Sequence, residues 1–311
     1  MKKVKILICI IMAAVLICVI TVPSVVFIRG NLNNIALSED FKNGMEEQDG
    51  SLVQGANLRI MSSNLLVHYK SWGGSPAKSR AKMFSEVLKK YQPDVVGIQE
   101  MCDEWFSCIY TSMRDDYEII DTYSTGAMVR MTSMIYNKNT LELVENGQVK
   151  FSEGDNPRLR RMVWAVFKRK SDGKQFAVLS THFDLIREGK EAEELAVMNK
   201  QADELILFVN ELYKKYNCPV FAVGDFNAME NGSINGDFDA PSIYKKLSES
   251  LVDVKYEAQD RSFGEGQDWN YPSYDHIFLK GDAEIKRFTI LSQEYIMPMS
   301  DHCSIFADLK I

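Results

Sequence analysis

Pro219-Val220-Phe221-Ala222-Val223-Gly224-Asp225-Phe226-Asn227 runs apolar for five residues and then stops on Gly-Asp-Phe-Asn. The apolar part reads as a buried strand. Gly224 marks a sharp turn or a close backbone approach. Residues two apart along extended chain point the same way, so Asp225 and Asn227 share one side while Phe226 points into the protein. A carboxylate and a carboxamide fixed at the end of a rigid strand suit water activation beside a metal and a phosphate. They equally suit an Asx-rich turn after a core strand, and the rest of the chain has to decide.

Upstream, residues 188–216 carry Leu195, Met198, Ala202, Leu205, Val209, Leu212 and Tyr216 at spacings of three and four, a helix packed on a sheet. Before it, residues 176–180 read as a core strand that delivers Thr181-His182-Phe183-Asp184. Ser171-Asp172-Gly173-Lys174 is a hairpin signal joining that strand to one at 162–169. Strands are also expected at 132–136 and 141–144, around a turn at 137–139. Nearer the N-terminus, 57–64 reads as a strand ending on Asn64. Residues 79–92 form a helix stopped by Pro93, and 94–100 a short buried strand finishing on Glu100. Beyond the opening stretch, a short helix at 242–251 precedes strands at 274–279 and 285–291. A last strand at 304–309 is entered through Asp301-His302.

The chain has 311 residues, 46% hydrophobic and 25% charged, which suits one large folded domain or two small ones. Net charge is -7. Four of the 36 basic residues (Lys2, Lys3, Lys5, Arg29) flank an N-terminal apolar run, leaving 32 against 43 acidic. That is a poor footprint for duplex nucleic acid and compatible with recruiting divalent cations. Among 6 cysteines there is no CxxC pair, which argues against zinc. Cys102 and Cys108 are read as single buried thiols or, outside the cell, as a disulfide.

The apolar run covers 6–28, long enough to span a hydrocarbon core of about 30 Å. With three lysines ahead of it, the positive-inside rule leaves the N-terminus in the cytoplasm and exports the rest. Residues 1–29 are therefore expected to be a transmembrane signal-anchor. The rival is a signal peptide cleaved near Val22-Pro23-Ser24, which would release a secreted protein. Residues 30–56 read as a polar linker, and 57–311 as the folded domain.

Six strand ends thus carry one kind of chemistry: Asn64, Glu100, His182, Asp225 with Asn227, Asp275, and Asp301 with His302. Hard oxygen donors with few carboxylates suit Mg²⁺ or Mn²⁺. No GxSxG elbow and no P-loop occur, so serine acyl transfer and P-loop nucleotide chemistry lack their motifs.

In this order, Ser63-Asn64, Gly97-Ile98-Gln99-Glu100, Ser180-Thr181-His182-Phe183-Asp184, Gly224-Asp225-Phe226-Asn227, Tyr274-Asp275-His276-Ile277-Phe278 and Ser300-Asp301-His302 resemble the motifs of the endonuclease/exonuclease/phosphatase superfamily. The resemblance spans about 57–311. It implies an α+β fold, a four-layer α-β-β-α sandwich of two mainly antiparallel sheets, deoxyribonuclease I-like, with the site where strand ends from both sheets meet. Carried over, it makes Glu100 the main metal ligand, with Asn64 near the metal or its water, and Asp301 a further ligand or leaving-group aid. Asp225 would orient and deprotonate the attacking water, and Asn227 would hold the water or the phosphate. His182 and His302 would meet the phosphoryl oxygens, and Asp275 would fix the tautomer of His302 and favour its protonated form. Tyr136, a substrate-binding candidate, and Asp184 receive supporting roles. The chain departs from the pattern at Tyr136-Asn137-Lys138, where many relatives carry a Tyr-Arg-Lys-like stretch. Arg158, Arg160 and Arg161 are either a substitute grip or a solvent-facing strand edge.

The expectation is a Mg²⁺- or Mn²⁺-dependent phosphodiesterase, anchored in the cell membrane through the N-terminal helix with its domain outside. Its partner is a phosphoester, a nucleic acid or a phospholipid headgroup, with no obligate protein partner. The alternatives are a phosphomonoesterase acting on lipid or inositol headgroups and a non-catalytic binding module on the same fold.

Overall fold

The computed structural model describes residues 31–311 except 48, 68, 72–75, 121–129, 155–159, 233–235, 261–272 and 292–298. The N-terminal apolar run and Arg158 lie outside the described residues. In chain order the helices are α1 (Glu39–Glu47), α2 (Ala77–Tyr91), α3 (Asp103–Met113), α4 (Glu191–Tyr216), α5 (Pro241–Ser250) and α6 (Val254–Glu257). The strands are β1 (Leu58–Asn64), β2 (Val95–Met101), β3 (Tyr117–Ile120), β4 (Arg130–Asn137), β5 (Leu141–Lys150) and β6 (Arg161–Arg169), then β7 (Gln175–His182), β8 (Val220–Asp225), β9 (Val252–Asp253), β10 (Asp275–Lys280), β11 (Glu284–Ile290) and β12 (Ile305–Lys310).

Two six-stranded sheets result, ordered β11-β12-β1-β2-β4-β3 and β5-β6-β7-β8-β10-β9. Each is mixed. β1 and β2 are parallel and joined through α2; β7 and β8 are parallel and joined through α4. The other pairings are antiparallel. Three apolar layers fill the sandwich. Val95, Met134, Val163 and Val223 lie in the one between the sheets. Phe84, Trp105 and Val96 pack the first sheet against α2 and α3, and Met198, Leu205 and Ala222 pack the second against α4. This is the expected α-β-β-α architecture.

Close packing explains two glycines. A Cβ on Gly97 would meet Val223 Cγ2 at 2.3 Å across the sheets. One on Gly224, at φ +154°, would meet the Thr181 carbonyl oxygen at 2.1 Å. The close approach expected at Gly224 is therefore backbone against backbone, beside the catalytic candidates.

The stretch read as a polar linker packs on this body. Leu32, Phe41 and Met45 are buried in the first helix-side layer. Gly50 and Ser51 offer their carbonyls to Arg59. Polar composition concealed this because a few scattered apolar side chains, with Ile35 and Leu37 packing beside the three buried ones, and backbone groups are enough to dock it. Helix α3 was also not foreseen, although Trp105, Cys108, Ile109 and Met113 recur on its buried face. Cys102 and Cys108 are buried thiols and not a disulfide, and burial pushes the Cys108 thiol up to about 12.

Candidate active site

Two parallel strand pairs end at the same edge of the sandwich. β1 and β2 bring Asn64 and Glu100 there; β7 and β8 bring His182 and Asp225. β10 runs antiparallel to β8 with Asp275 opposite Asp225. β12 runs antiparallel to β1, so the segment entering it, Ser300-Asp301-His302, reaches the same edge. Ser300 donates its hydroxyl to the Asn64 carbonyl (2.7 Å) and accepts from the His302 N–H (3.2 Å), pinning that segment to the end of β1.

Asp225 is the centre. Its Oδ2 accepts from Asn64 Nδ2 at 3.0 Å and lies 3.3 Å from His182 Nε2 and 3.8 Å from His302 Nε2. Its Oδ1 accepts from the Asn227 N–H at 2.9 Å. Asn227 Nδ2 donates to the Phe183 carbonyl at 2.9 Å, tying the loop after β8 to the one after β7. His302 Nδ1 meets Asp275 Oδ2 at 2.7 Å. Asp225, Asp275 and His182 are all buried, and two of their polar atoms, His182 Nδ1 and Asp275 Oδ1, have no partner among the described residues. Unmet polar atoms at such depth are rare and call for a ligand or water.

Burial alone would raise the Asp225 carboxyl, but His182 and His302 outweigh it and hold the carboxyl well below the usual range. Burial would lower His302; Asp275 and Asp225 reverse that and lift the imidazole to about 10. Burial pushes Asp275 up in spite of His302. At neutral pH the cluster therefore holds an ionised Asp225 beside a protonated His302, a pair suited to an anionic phosphoryl group.

Glu100 is half-buried and accepts from the Val67 N–H at 2.9 Å. Asn64 Oδ1 accepts from the Leu66 N–H at 3.0 Å. No cluster of three His, Cys, Asp or Glu side chains able to hold a metal occurs among the described residues. The donor set still fits Mg²⁺ or Mn²⁺, which take one or two carboxylates and fill the remaining positions with water and substrate oxygens. Asp301 is exposed at the rim, contacting Ser300, so it stands apart from the buried cluster.

Among the described residues, six that are not glycine have positive φ. Gln92, Asn217 and Ala240 sit at helix ends. The other three, Leu66 (+52°), Glu100 (+59°) and Asn227 (+47°), all lie at this edge. Such backbone persists only where its surroundings over-determine it, and it gathers at functional sites.

One expectation is corrected, and one of the two readings of the arginines falls. Tyr136 pairs with Val95 at the start of β2, five residues or about 16 Å of strand from Glu100. Its ring is buried in the inter-sheet layer and its hydroxyl donates to Glu118 at 2.5 Å, so it is a core residue. Arg160 pairs with Asp184 at 3.2 Å, and Arg161 is buried and donates to Gln148 at 2.6 Å, so neither is a solvent-facing edge. Asp184 also accepts from Gln201 at 2.7 Å and ties the loop after β7 to α4.

Arg80 had no recognisable signal on its helix. It is fully buried, and its guanidinium donates to the carbonyls of Leu65, Leu66, Val67, Lys70 and Met299. It therefore joins the loop that feeds Glu100 to the segment carrying His302.

Residues 61–302 match the family model described as Endonuclease/Exonuclease/phosphatase family. No curated protein matches by sequence. Among solved structures, a mannosyl-6-phosphatase of Bacteroides thetaiotaomicron is similar at TM-score 0.64 and 21% identity, covering 82% of this chain and 100% of that one. The catalytic domain of human Nocturnin with bound sulfate is similar at 0.61 and 20%, covering 81% and 94%. D. rerio TDP2 with a single-strand DNA product is similar at 0.59 and 16%, covering 82% and 99%. At these identities the structures speak for the fold.

Proposed function

The chain belongs to the endonuclease/exonuclease/phosphatase family, and from that premise we propose that it is a divalent-metal-dependent phosphodiesterase held at the outer face of the cell membrane by its N-terminal segment. The observation that carries the catalytic reading is the buried Asp225 oxygen shared by Asn64 and the imidazoles of His182 and His302, beside two unpartnered polar atoms. Glu100, with Asn64, would hold Mg²⁺ or Mn²⁺, and Asp301 would reach the metal or the leaving group from the rim. The cation, when bound, supplies Lewis acidity to the phosphoryl oxygen and acidifies water. Asp225 orients the attacking water and takes its proton. Asn227 holds the water or a phosphate oxygen. His182 and protonated His302 stabilise the charge that grows on the phosphoryl oxygens, with Asp275 fixing the His302 ring.

The membrane reading rests on sequence: an apolar run at 6–28 behind three lysines. No described helix is long and apolar enough to cross a membrane. Because Leu32 is buried in the body, only three residues lie between Ile28 and it, a reach of roughly 14 Å at full extension. The domain would sit close against the bilayer, within reach of headgroups. Protease accessibility of the domain on intact cells checks this.

The catalytic test is hydrolysis of bis-p-nitrophenyl phosphate with Mg²⁺ or Mn²⁺. Glu100→Gln and Asp225→Asn should each lower kcat roughly 10²–10⁴-fold, and EDTA should abolish turnover. Rates equal to wild type, or indifference to EDTA, refute the reading. A panel of single- and double-stranded DNA, RNA, sphingomyelin and phosphoinositides then assigns the substrate, with duplex DNA disfavoured by the acidic domain. A phosphomonoesterase is the second reading, favoured by the similarity to a mannosyl-6-phosphatase; faster turnover of p-nitrophenyl phosphate than of the diester would select it.

A further inference from the structure

His276 follows Asp275 on β10, so the two side chains leave opposite faces of the sheet. Asp275 turns to His302 and the catalytic edge. His276 turns to the helix side, where it is 2% exposed. Its ring lies against Tyr244, Phe278 and Phe226, with centroids 5.0, 5.4 and 5.9 Å away. Its Nε2 is 2.8 Å from the Ala228 carbonyl oxygen. A carbonyl can only accept, so Nε2 carries the hydrogen and donates. Its Nδ1 faces Asp253 Oδ2 at 3.6 Å, and Asp253 is itself held by the Tyr244 hydroxyl at 2.9 Å.

Phe226 and Ala228 are the two neighbours of Asn227. His276 therefore touches the chain on both sides of a residue whose backbone is left-handed, whose N–H donates to Asp225 and whose side chain bonds to Phe183. The same loop is secured two residues later. Glu230 accepts from Lys255 Nζ at 2.6 Å and from the Ser273 N–H at 3.1 Å, joining it to the lead-in of β10.

We propose that His276 is a positioning residue for hydrolysis: by donating to the Ala228 carbonyl, with Asp253 as its anchor, it fixes Asn227 against Asp225 from behind the sheet. It touches neither metal nor substrate. The kinetic part rests on the hydrolytic reading above; the structural part does not.

The test uses the detergent-solubilised full chain. His276→Phe keeps an aromatic ring and removes the donor, and His276→Gln keeps a donor. Two quantities are read: kcat and KM for bis-p-nitrophenyl phosphate with Mn²⁺, and amide exchange of residues 226–230 relative to 220–224. The Phe variant should lose about 10- to 100-fold in kcat with KM within about twofold, and should exchange faster at 226–230 alone. The Gln variant should stay within about threefold of wild type in kcat. A Phe variant with wild-type kcat and exchange, or a Gln variant as slow as Phe, overturns the proposal. If the Phe variant does not fold, Asp253→Asn decides: kcat lowered with KM unchanged supports the anchor, and wild-type kcat refutes it. Should wild type not hydrolyse the diester at all, the exchange comparison still decides whether His276 holds the loop.

Discussion

At its two ends β1 buries charge in two different ways. Arg59, near its start, makes five hydrogen bonds: two to Asp308 and one each to the carbonyls of Gly50, Ser51 and Tyr91. Its guanidinium also lies 4.5 Å from the centre of the Phe306 ring. Arg287 and the Val53 N–H add further bonds to Asp308, and no orphan atom is found there among the described residues. A cavity of about 710 Å³ opens beside this network, and Arg59, Asp94 and Arg169 in its lining all have hydrogen-bond partners. At the other end of the same strand, Asn64 enters a cluster where His182 Nδ1 and Asp275 Oδ1 are unanswered and three residues hold left-handed backbone. Charge that is fully satisfied fastens the fold; charge left partly unsatisfied awaits a ligand.

The comparison makes its largest prediction in stability. Arg59→Met leaves Asp308 to Arg287 and the Val53 N–H alone and deprives the Gly50, Ser51 and Tyr91 carbonyls of their donor; it should cost about 3–5 kcal/mol, read as a lower urea midpoint. Activity per folded molecule should hold. Glu100→Gln at the opposite end should leave the urea midpoint near wild type while removing activity. Equal destabilisation by both would erase the distinction between the ends.

The candidate catalytic end was the more legible in sequence, for a physical reason. Its residues sit where apolar strands stop, so Asn64, Glu100, His182 and Asp225 announce themselves by interrupting a pattern, and their order along the chain matched a known family. The structural end leaves no such trace. Arg59 alternates with apolar neighbours and reads as a solvent-facing strand position, but helices cover both outer faces of this sandwich. Its partner Asp308 is 249 residues away, beyond any spacing rule. The docking of 31–56 was hidden for the same reason, because Arg59 holds it through carbonyls, which every sequence has. Tyr136 failed in the opposite way: local motif matching put it at the site, while strand register puts it at the far end of β2.

Metal addition sharpens the contrast at intermediate magnitude. A cation held by Glu100 and Asn64 in the folded state only should stabilise the protein by about 2.7 kcal/mol at one hundred times its Kd. Thermal unfolding with and without Mn²⁺ measures it. Glu100→Gln should abolish the shift, and Arg59→Met should retain it from a lower starting point. A shift that survives Glu100→Gln would place the cation elsewhere.

The smallest effect is a slope with pH, and it belongs to the catalytic end. Burial opposes protonation of His276, but Asp253 and Glu230 outweigh it and raise the imidazole above its ordinary 6.5. A histidine raised on folding binds its proton more tightly in the native state, so its contribution is complete below about pH 6.5 and fades as pH climbs through the folded value. His302, lifted to about 10, pulls the same way over a wider range. Wild-type stability should therefore decline from pH 6.5 upward, on account of both rings. His276→Phe removes only one contribution: its urea midpoint should fall less steeply than wild type as pH rises above 6.5. Identical slopes throughout would mean that His276 is neutral in the folded protein, and that its bond to Ala228 owes nothing to the charge of Asp253.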